Sequence, residues 1–129
     1  MNDLTIPRFL RARVNAAPGK PFLSFGDRTW TYAEFAGEVG RAASGLRRLG
    51  VGLGHRVALF LPNLPEFLFV WFALAILRAI AVPINPAFRP AEAAYPLRHS
   101  EPSLVVAARD LGETLERALA EAELACPVV

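Results

Sequence analysis

The feature that most constrains this chain is the alternation of short apolar runs with helix-patterned segments through its second half. Residues 56–61 (RVALFL) form a run short enough for a strand and apolar enough to be covered on both faces. Leu64-Pro65-Glu66 opens a helix predicted to run to about residue 79. Residues 81–84 read as a second strand, 90–99 as a helix, and 104–107 as a third strand. Asp110-Leu111-Gly112-Glu113 has the pattern of a capping box, and Leu111, Leu115, Ala118, Leu119 and Ala122 follow at helical spacing. Pro127-Val128-Val129 reads as the first residues of a fourth strand. Strands and helices in strict alternation imply a mostly parallel sheet joined by right-handed crossovers. The expected class is α/β, a mostly parallel sheet flanked by helices, preceded by an N-terminal helix and a β-hairpin.

The first half supplies those two preceding elements. Thr5-Ile6-Pro7 reads as a helix start, with Thr5 as cap and Pro7 in the first turn, and Phe9, Leu10, Val14 and Ala17 give the helix an apolar side. Pro18-Gly19 ends it. Phe22-Leu23-Ser24-Phe25 and Arg28-Thr29-Trp30-Thr31 flank Gly26-Asp27, a hairpin signal. Thr31-Tyr32-Ala33-Glu34 is a second capping box. Tyr32, Phe35, Ala36, Val39, Ala42, Ala43, Leu46 and Leu49 recur at spacings of three and four, one face of a helix that Gly50 terminates.

Composition excludes several classes of function. The chain has 129 residues, enough for one core, and residues 1–129 are expected to form a single, incomplete domain. Its 53% hydrophobic content is high for a soluble domain and asks for a covered surface. The helix after Pro65 is apolar all round, which points to burial on several sides or to a docking partner. The net charge of +2 is dispersed, with no basic run and no nucleic-acid footprint. The longest uncharged apolar run, residues 67–77, is closed by Glu66 and Arg78 and is too short for a membrane span, which needs about 20 residues. That helix also lacks the basic face of an interfacial helix. Residues 1–8 do not have the form of a signal peptide. A cytoplasmic location is the expectation.

No residue reads as catalytic, cofactor-binding or metal-binding. Gly50-Val51-Gly52-Leu53-Gly54 follows a helix and precedes a strand, the reverse of a phosphate cradle. His55 and His99 lack carboxylate or cysteine neighbours at metal-ligand spacing, and His99 suits a helix C-terminus. Glu34 and Glu38 fall on a solvent face. Cys126, the single cysteine, reads as a small buried apolar residue, and the aromatics of residues 67–77 read as core.

Taken in order, several short segments resemble the opening of the AMP-forming acyl-activating superfamily, which includes acyl-CoA synthetases, luciferases and adenylation domains. They are Thr31-Tyr32-Ala33-Glu34-Phe35, Ala42-Ala43-Ser44-Gly45-Leu46, Leu49-Gly50-Val51-Gly52 with Gly54-His55-Arg56-Val57-Ala58, Leu61-Pro62-Asn63 with Glu66-Phe67, Val82-Pro83-Ile84-Asn85-Pro86, and Glu92 with Ala94-Tyr95 and Leu97-Arg98-His99-Ser100. Asn85-Pro86-Ala87-Phe88-Arg89 leans toward acyl-CoA synthetases. The resemblance implies a ligase that converts a carboxylate and ATP to an acyl-adenylate and then an acyl-CoA, with ATP, Mg²⁺ and coenzyme A in the complete enzyme. It implies that this chain is an N-terminal portion, inactive by itself, lying before the family's phosphate-binding loop. Its expected partner is the remainder of such a ligase or a second copy met through apolar surface. Lys20, the only lysine, matches no family motif. The sequence departs from the family at Ile80, where a glycine is usual, and a positive φ there would strain a β-branched side chain. It departs also at Leu64 (a capping Ser), at His55 (an Asp), and at Pro96, which falls inside a helix.

Overall fold

A computed structural model describes residues 4–129; the Met1–Asp3 part of the N-terminal reading lies outside the described residues. The chain divides into two compact units, residues 1–51 with 64–78, and residues 52–63 with 79–129.

The first unit is helical with a small hairpin. Helix α1 (Ile6–Ala16) starts as its sequence dictates, Thr5 Oγ1 accepting from the Arg8 N–H at 3.3 Å. Strands β1 (Pro21–Phe25) and β2 (Arg28–Thr31) pair antiparallel, and Gly26 turns the chain with φ +58°. Helix α2 (Tyr32–Arg48) has the full capping box: Glu34 N–H donates to Thr31 Oγ1 at 3.2 Å and Thr31 N–H to Glu34 Oε2 at 3.3 Å. Its C-terminus closes on Gly50 at φ +88°. Val51 N–H returns to the Leu46 carbonyl and Gly50 N–H to that of Arg47, a Schellman closure in which Leu46 and Val51 are both buried. Helix α3 (Pro65–Ile76) completes the unit.

Aromatic rings fill the space where these helices meet. Phe35 is fully buried, with its ring centroid 5.0 Å from Phe22, 5.6 Å from Phe69 and 5.0 Å from Phe72. Trp30 packs edge-on to Phe69 at 5.7 Å while the Arg28 guanidinium covers its ring at 4.5 Å. Burying one such ring contributes about 1.5–3 kcal/mol, and each edge-to-face pair about 0.5–1.5 kcal/mol more.

Helix α3 corrects two expectations. It ends at Ile76, about three residues early, because Arg78 takes a left-handed φ of +59° that breaks the helix. The strained position is therefore Arg78. Ile80 sits two residues later as extended backbone, opening a strand paired with Arg56. Leu64 makes no side-chain cap, as its sequence implies.

The second unit holds the parallel sheet. Strands β3 (Arg56–Phe60), β4 (Ile80–Pro83) and β5 (Leu104–Ala107) lie in the order β4-β3-β5, with Val57 registered on Ala81 and Leu104. Val128 adds a parallel bridge to Val105 on the outer side of β5, so the segment read as a fourth strand pairs where the alternation requires. Helices α4 (Pro90–Ser100) and α5 (Gly112–Ala122) pack together over a core of Ala58, Phe60, Val105, Leu97, Leu115 and small alanines. Pro96 lies inside α4 without ending it. The capping box read at Asp110 is corrected. Residues Arg109–Leu111 form a 3₁₀ turn, so the cap position falls to Leu111 and Asp110 stands one residue too early to accept from the first turn.

Candidate functional site

The turn that precedes β3 is the first place to look for a phosphate site, because glycines concentrate there. It is closed on itself. Gly52 N–H donates to His55 Nδ1 at 3.0 Å and His55 N–H donates to the Gly52 carbonyl at 3.1 Å. His55 thus supplies a side-chain acceptor to the backbone of a tight turn. A backbone donor already taken by a side chain is not available to an anion.

The helix N-termini reached through the sheet's connections are equally unsuited to phosphate. Glu66, Glu92 and Glu113 stand in the first turns of α3, α4 and α5. A carboxylate in the first turn lies near the positive end of the helix dipole and disfavours a second anion there, although that of Glu113 is paired with Arg117 at 2.8 Å. Glu92 is tied down there, its Oε2 accepting from Arg89 N–H at 2.7 Å. Pro65 further deprives α3 of one donor. Neither the glycine turn nor these three helix starts has the form of a phosphate cradle. Among the described residues no group of three or more His, Cys, Asp or Glu side chains is placed to hold a metal ion.

The remaining singled-out residues resolve into structural roles. His99 is exposed near the end of α4 and stacks on Tyr95, ring centroids 6.0 Å apart and nearly parallel. Glu34 caps α2. Glu38 binds Arg41 at 2.6 Å, and that hydrogen bond holds its carboxyl below the usual range. Lys20 is exposed at the hairpin entry, its carbonyl accepting from Tyr32 N–H. Cys126 is half-buried and its Sγ donates to the Pro102 carbonyl at 3.3 Å, with burial pushing the thiol pKa up. Among the residue 67–77 aromatics, Phe69 and Phe72 are core, whereas Trp71 stays 40% exposed.

Two features were missed from sequence. The Trp30 indole N–H is buried without a partner among the described residues, an imbalance of about 1–3 kcal/mol that only the packed hairpin reveals. A groove of about 380 Å³ also opens between α1, α2 and α3, floored by Leu10, Val14, Ala36 and Gly40. Ala36 and Gly40, one turn apart on α2, leave this space open, but α2 carries many other small residues, so the pair did not stand out in the sequence.

No helix of the described residues is long and apolar enough to cross a membrane. The family profile of the AMP-binding enzymes matches residues 10–129. A crotonobetaine/carnitine–CoA ligase of Salmonella paratyphi A is 46% identical over 79 residues, which is 61% of this chain and 15% of that ligase. A fatty acyl CoA synthetase of Mycobacterium tuberculosis superposes with a TM-score of 0.81 at 30% identity, over 95% of this chain and 24% of that one. A benzoate CoA ligase of Burkholderia xenovorans superposes with a TM-score of 0.84 at 25% identity, over 98% of this chain and 26% of that one. The match over nearly the whole sequence, together with a parallel sheet and hairpin in the arrangement of the acyl-CoA ligases, means that this chain belongs to the AMP-binding enzyme family, of whose members' length it spans only a fraction.

Proposed function

We propose that the chain is an N-terminal portion of an AMP-forming acid–CoA ligase, one incomplete domain that supplies scaffold and no catalytic group. The observation that carries the reading is the family match over residues 10–129 set against a span of 15% of the carnitine–CoA ligase relative. In the complete enzyme a substrate carboxylate attacks the α-phosphorus of ATP and releases pyrophosphate. The thiol of coenzyme A then attacks the acyl carbon and expels AMP. Such chemistry needs donors and cations around a charged phosphoryl transition state. In the glycine turn the Gly52 N–H is already held by His55, and at the start of α4 the Arg89 N–H is held by Glu92, so this reading looks for the phosphate donors elsewhere in the complete enzyme. A cytoplasmic location and a fatty acid substrate are part of the same reading. The test is exchange of labelled pyrophosphate into ATP by the purified chain with Mg²⁺ and a panel of carboxylic acids. The expected result is no exchange above background; exchange above background overturns the scaffold assignment.

A second reading is a non-catalytic module that docks a separately encoded partner. Trp71 and Ile76, each 40% exposed on the apolar helix α3, favour it, since large exposed apolar side chains on one element mark contacts. A monodisperse monomer that binds no hydrophobic dye would count against it.

A further inference from the structure

The turn that opens the second unit is closed through one ring nitrogen. It runs Gly52-Leu53-Gly54-His55, with Gly54 at φ +76°. Gly52 N–H donates to His55 Nδ1 at 3.0 Å, and His55 N–H donates back to the Gly52 carbonyl at 3.1 Å. Leu53 carries the only other side chain of the turn, and it cannot accept a hydrogen bond. The sheet starts at the same place, the His55 carbonyl accepting from Ile80 N–H at 2.8 Å where β3 and β4 come into register.

An imidazole can fill this role in only one protonation state. A ring nitrogen that accepts carries no proton, so the bonded ring is the neutral tautomer with its proton on Nε2. A second proton, which imidazole takes up within about pH 5–8, enters at Nδ1 and turns that acceptor into a donor. Two donors then face each other and the bond is lost. The charged groups on the segments that lead into the turn or meet its strand are Arg47 and Arg48 on the last turn of α2, Arg56 on β3, Arg78 before β4, and His99 and Glu101 at the end of α4. Arg56 is engaged, its Nε donating to the Ser100 carbonyl. The imidazole makes no ion pair and no ring contact among the described residues, so its bond to Gly52 alone decides its orientation. We propose that His55 is a proton-operated latch: the neutral ring closes the turn at the foot of β3, and the imidazolium opens it and frees Gly52 N–H to water. The device lies within the second unit and does not rest on the ligase reading.

Nuclear magnetic resonance of the 129-residue chain between about pH 8 and pH 5 tests the latch. At the upper end the two ring-nitrogen shifts of His55 should report the Nε2–H tautomer. Protection of the Gly52 amide from solvent exchange, taken relative to the unstructured rate at each pH, should fall at least tenfold as the His55 ring titrates, with the same midpoint. His55→Asp keeps an acceptor over this range, because an ordinary carboxyl stays ionised down to about pH 4, and should hold Gly52 protected throughout. His55→Ala should leave Gly52 unprotected at both ends, with far-UV circular dichroism checking that both variants fold. An Nδ1–H ring at the upper end overturns the proposal, as does Gly52 protection that stays level through the His55 titration or survives in His55→Ala. A tenfold fall shared by His55→Asp overturns it too, because the acid effect would then enter through another group.

Discussion

The two units solve the same problem with different side chains. In the first, the buried space is aromatic, with Phe22, Phe69 and Phe72 each in ring contact with the fully buried Phe35. In the second, Phe60 is the only aromatic among the buried core residues, and Ala58, Ala93, Ala94, Ala118 and Ala122 take the closest positions. The difference follows from what each must fill. Helices that meet beside a two-stranded hairpin leave an irregular hollow that only large rings span. Two helices laid together over a sheet approach closely, and small residues permit that approach. Neither unit has a buried polar or charged residue among the described residues, so each is held by shape and apolar area.

The largest expected effect breaks this contrast directly. Phe35→Ala removes a ring that touches three others and should cost about 3–5 kcal/mol, enough to consume much of a small domain's stability. Leu97→Ala, at an equally buried site of the second unit, should cost about 2–5 kcal/mol and fall below it. Urea unfolding of both variants measures the difference. A larger loss for Leu97→Ala would mean that the aromatic cluster is not the tighter core.

The opposite change sharpens it. Ala118 is fully buried where α4 and α5 pack, so Ala118→Leu overfills the contact and should cost about 1–3 kcal/mol. Gly40→Leu, an addition of even more atoms in the first unit, should cost nothing because the space beside Gly40 is open. Thermal unfolding of the pair separates a contact set by small residues from a groove that merely contains one.

The sequence showed most of this fold because its strongest signals are local. The Thr31 and Glu34 box, the Gly26-Asp27 turn and the Gly50 stop each act through neighbours within a few residues, and each stands where it was read. The same holds for residues 104–107, bounded as the apolar run is bounded. What misled was context beyond the local pattern. Asp110 and Glu113 have the spacing of a cap, yet the chain leaving β5 first makes a 3₁₀ turn that shifts the cap by one residue. Strain was assigned to Ile80 from a family pattern, but the left-handed residue is Arg78, two positions before it. The occupied state of the glycine turn was not legible at all, since nothing in the spacing of Gly52 and His55 says which ring nitrogen faces the backbone.

Helix ends give a smaller, paired test. In the first unit α2 ends on Gly50, whereas in the second α4 and α5 end on Glu101 and Glu123, with φ of +46° and +57°. A left-handed conformation costs a side-chain-bearing residue roughly 1–2 kcal/mol, part of which glycine returns as unfolded-chain entropy. Glu101→Gly and Glu123→Gly should therefore each stabilise by about 0.5–1 kcal/mol, and Gly50→Ala should destabilise by about 1 kcal/mol. Chemical denaturation of the three variants reads the signs, and a stabilising Gly50→Ala would show that this closure does not need its glycine.

The smallest effect is a pH dependence confined to the second unit, which holds the only cysteine. Burial favours the neutral Cys126 thiol, so the folded pKa is raised while the unfolded chain ionises in the ordinary thiol range. A raised folded pKa means that the folded state binds the proton more tightly. Its contribution to stability is complete below the unfolded value and is lost as pH rises through the folded one. Alkaline titration should thus loosen the Pro127–Val129 pairing on β5, which Cys126 adjoins through its bond to Pro102. Cys126→Ser keeps a donor for that carbonyl and does not ionise in the same range. The fall in unfolding temperature between neutral and alkaline pH should be shallower in Cys126→Ser than in the parent chain. Equal slopes would place the alkaline sensitivity in groups common to both units and remove this distinction between them.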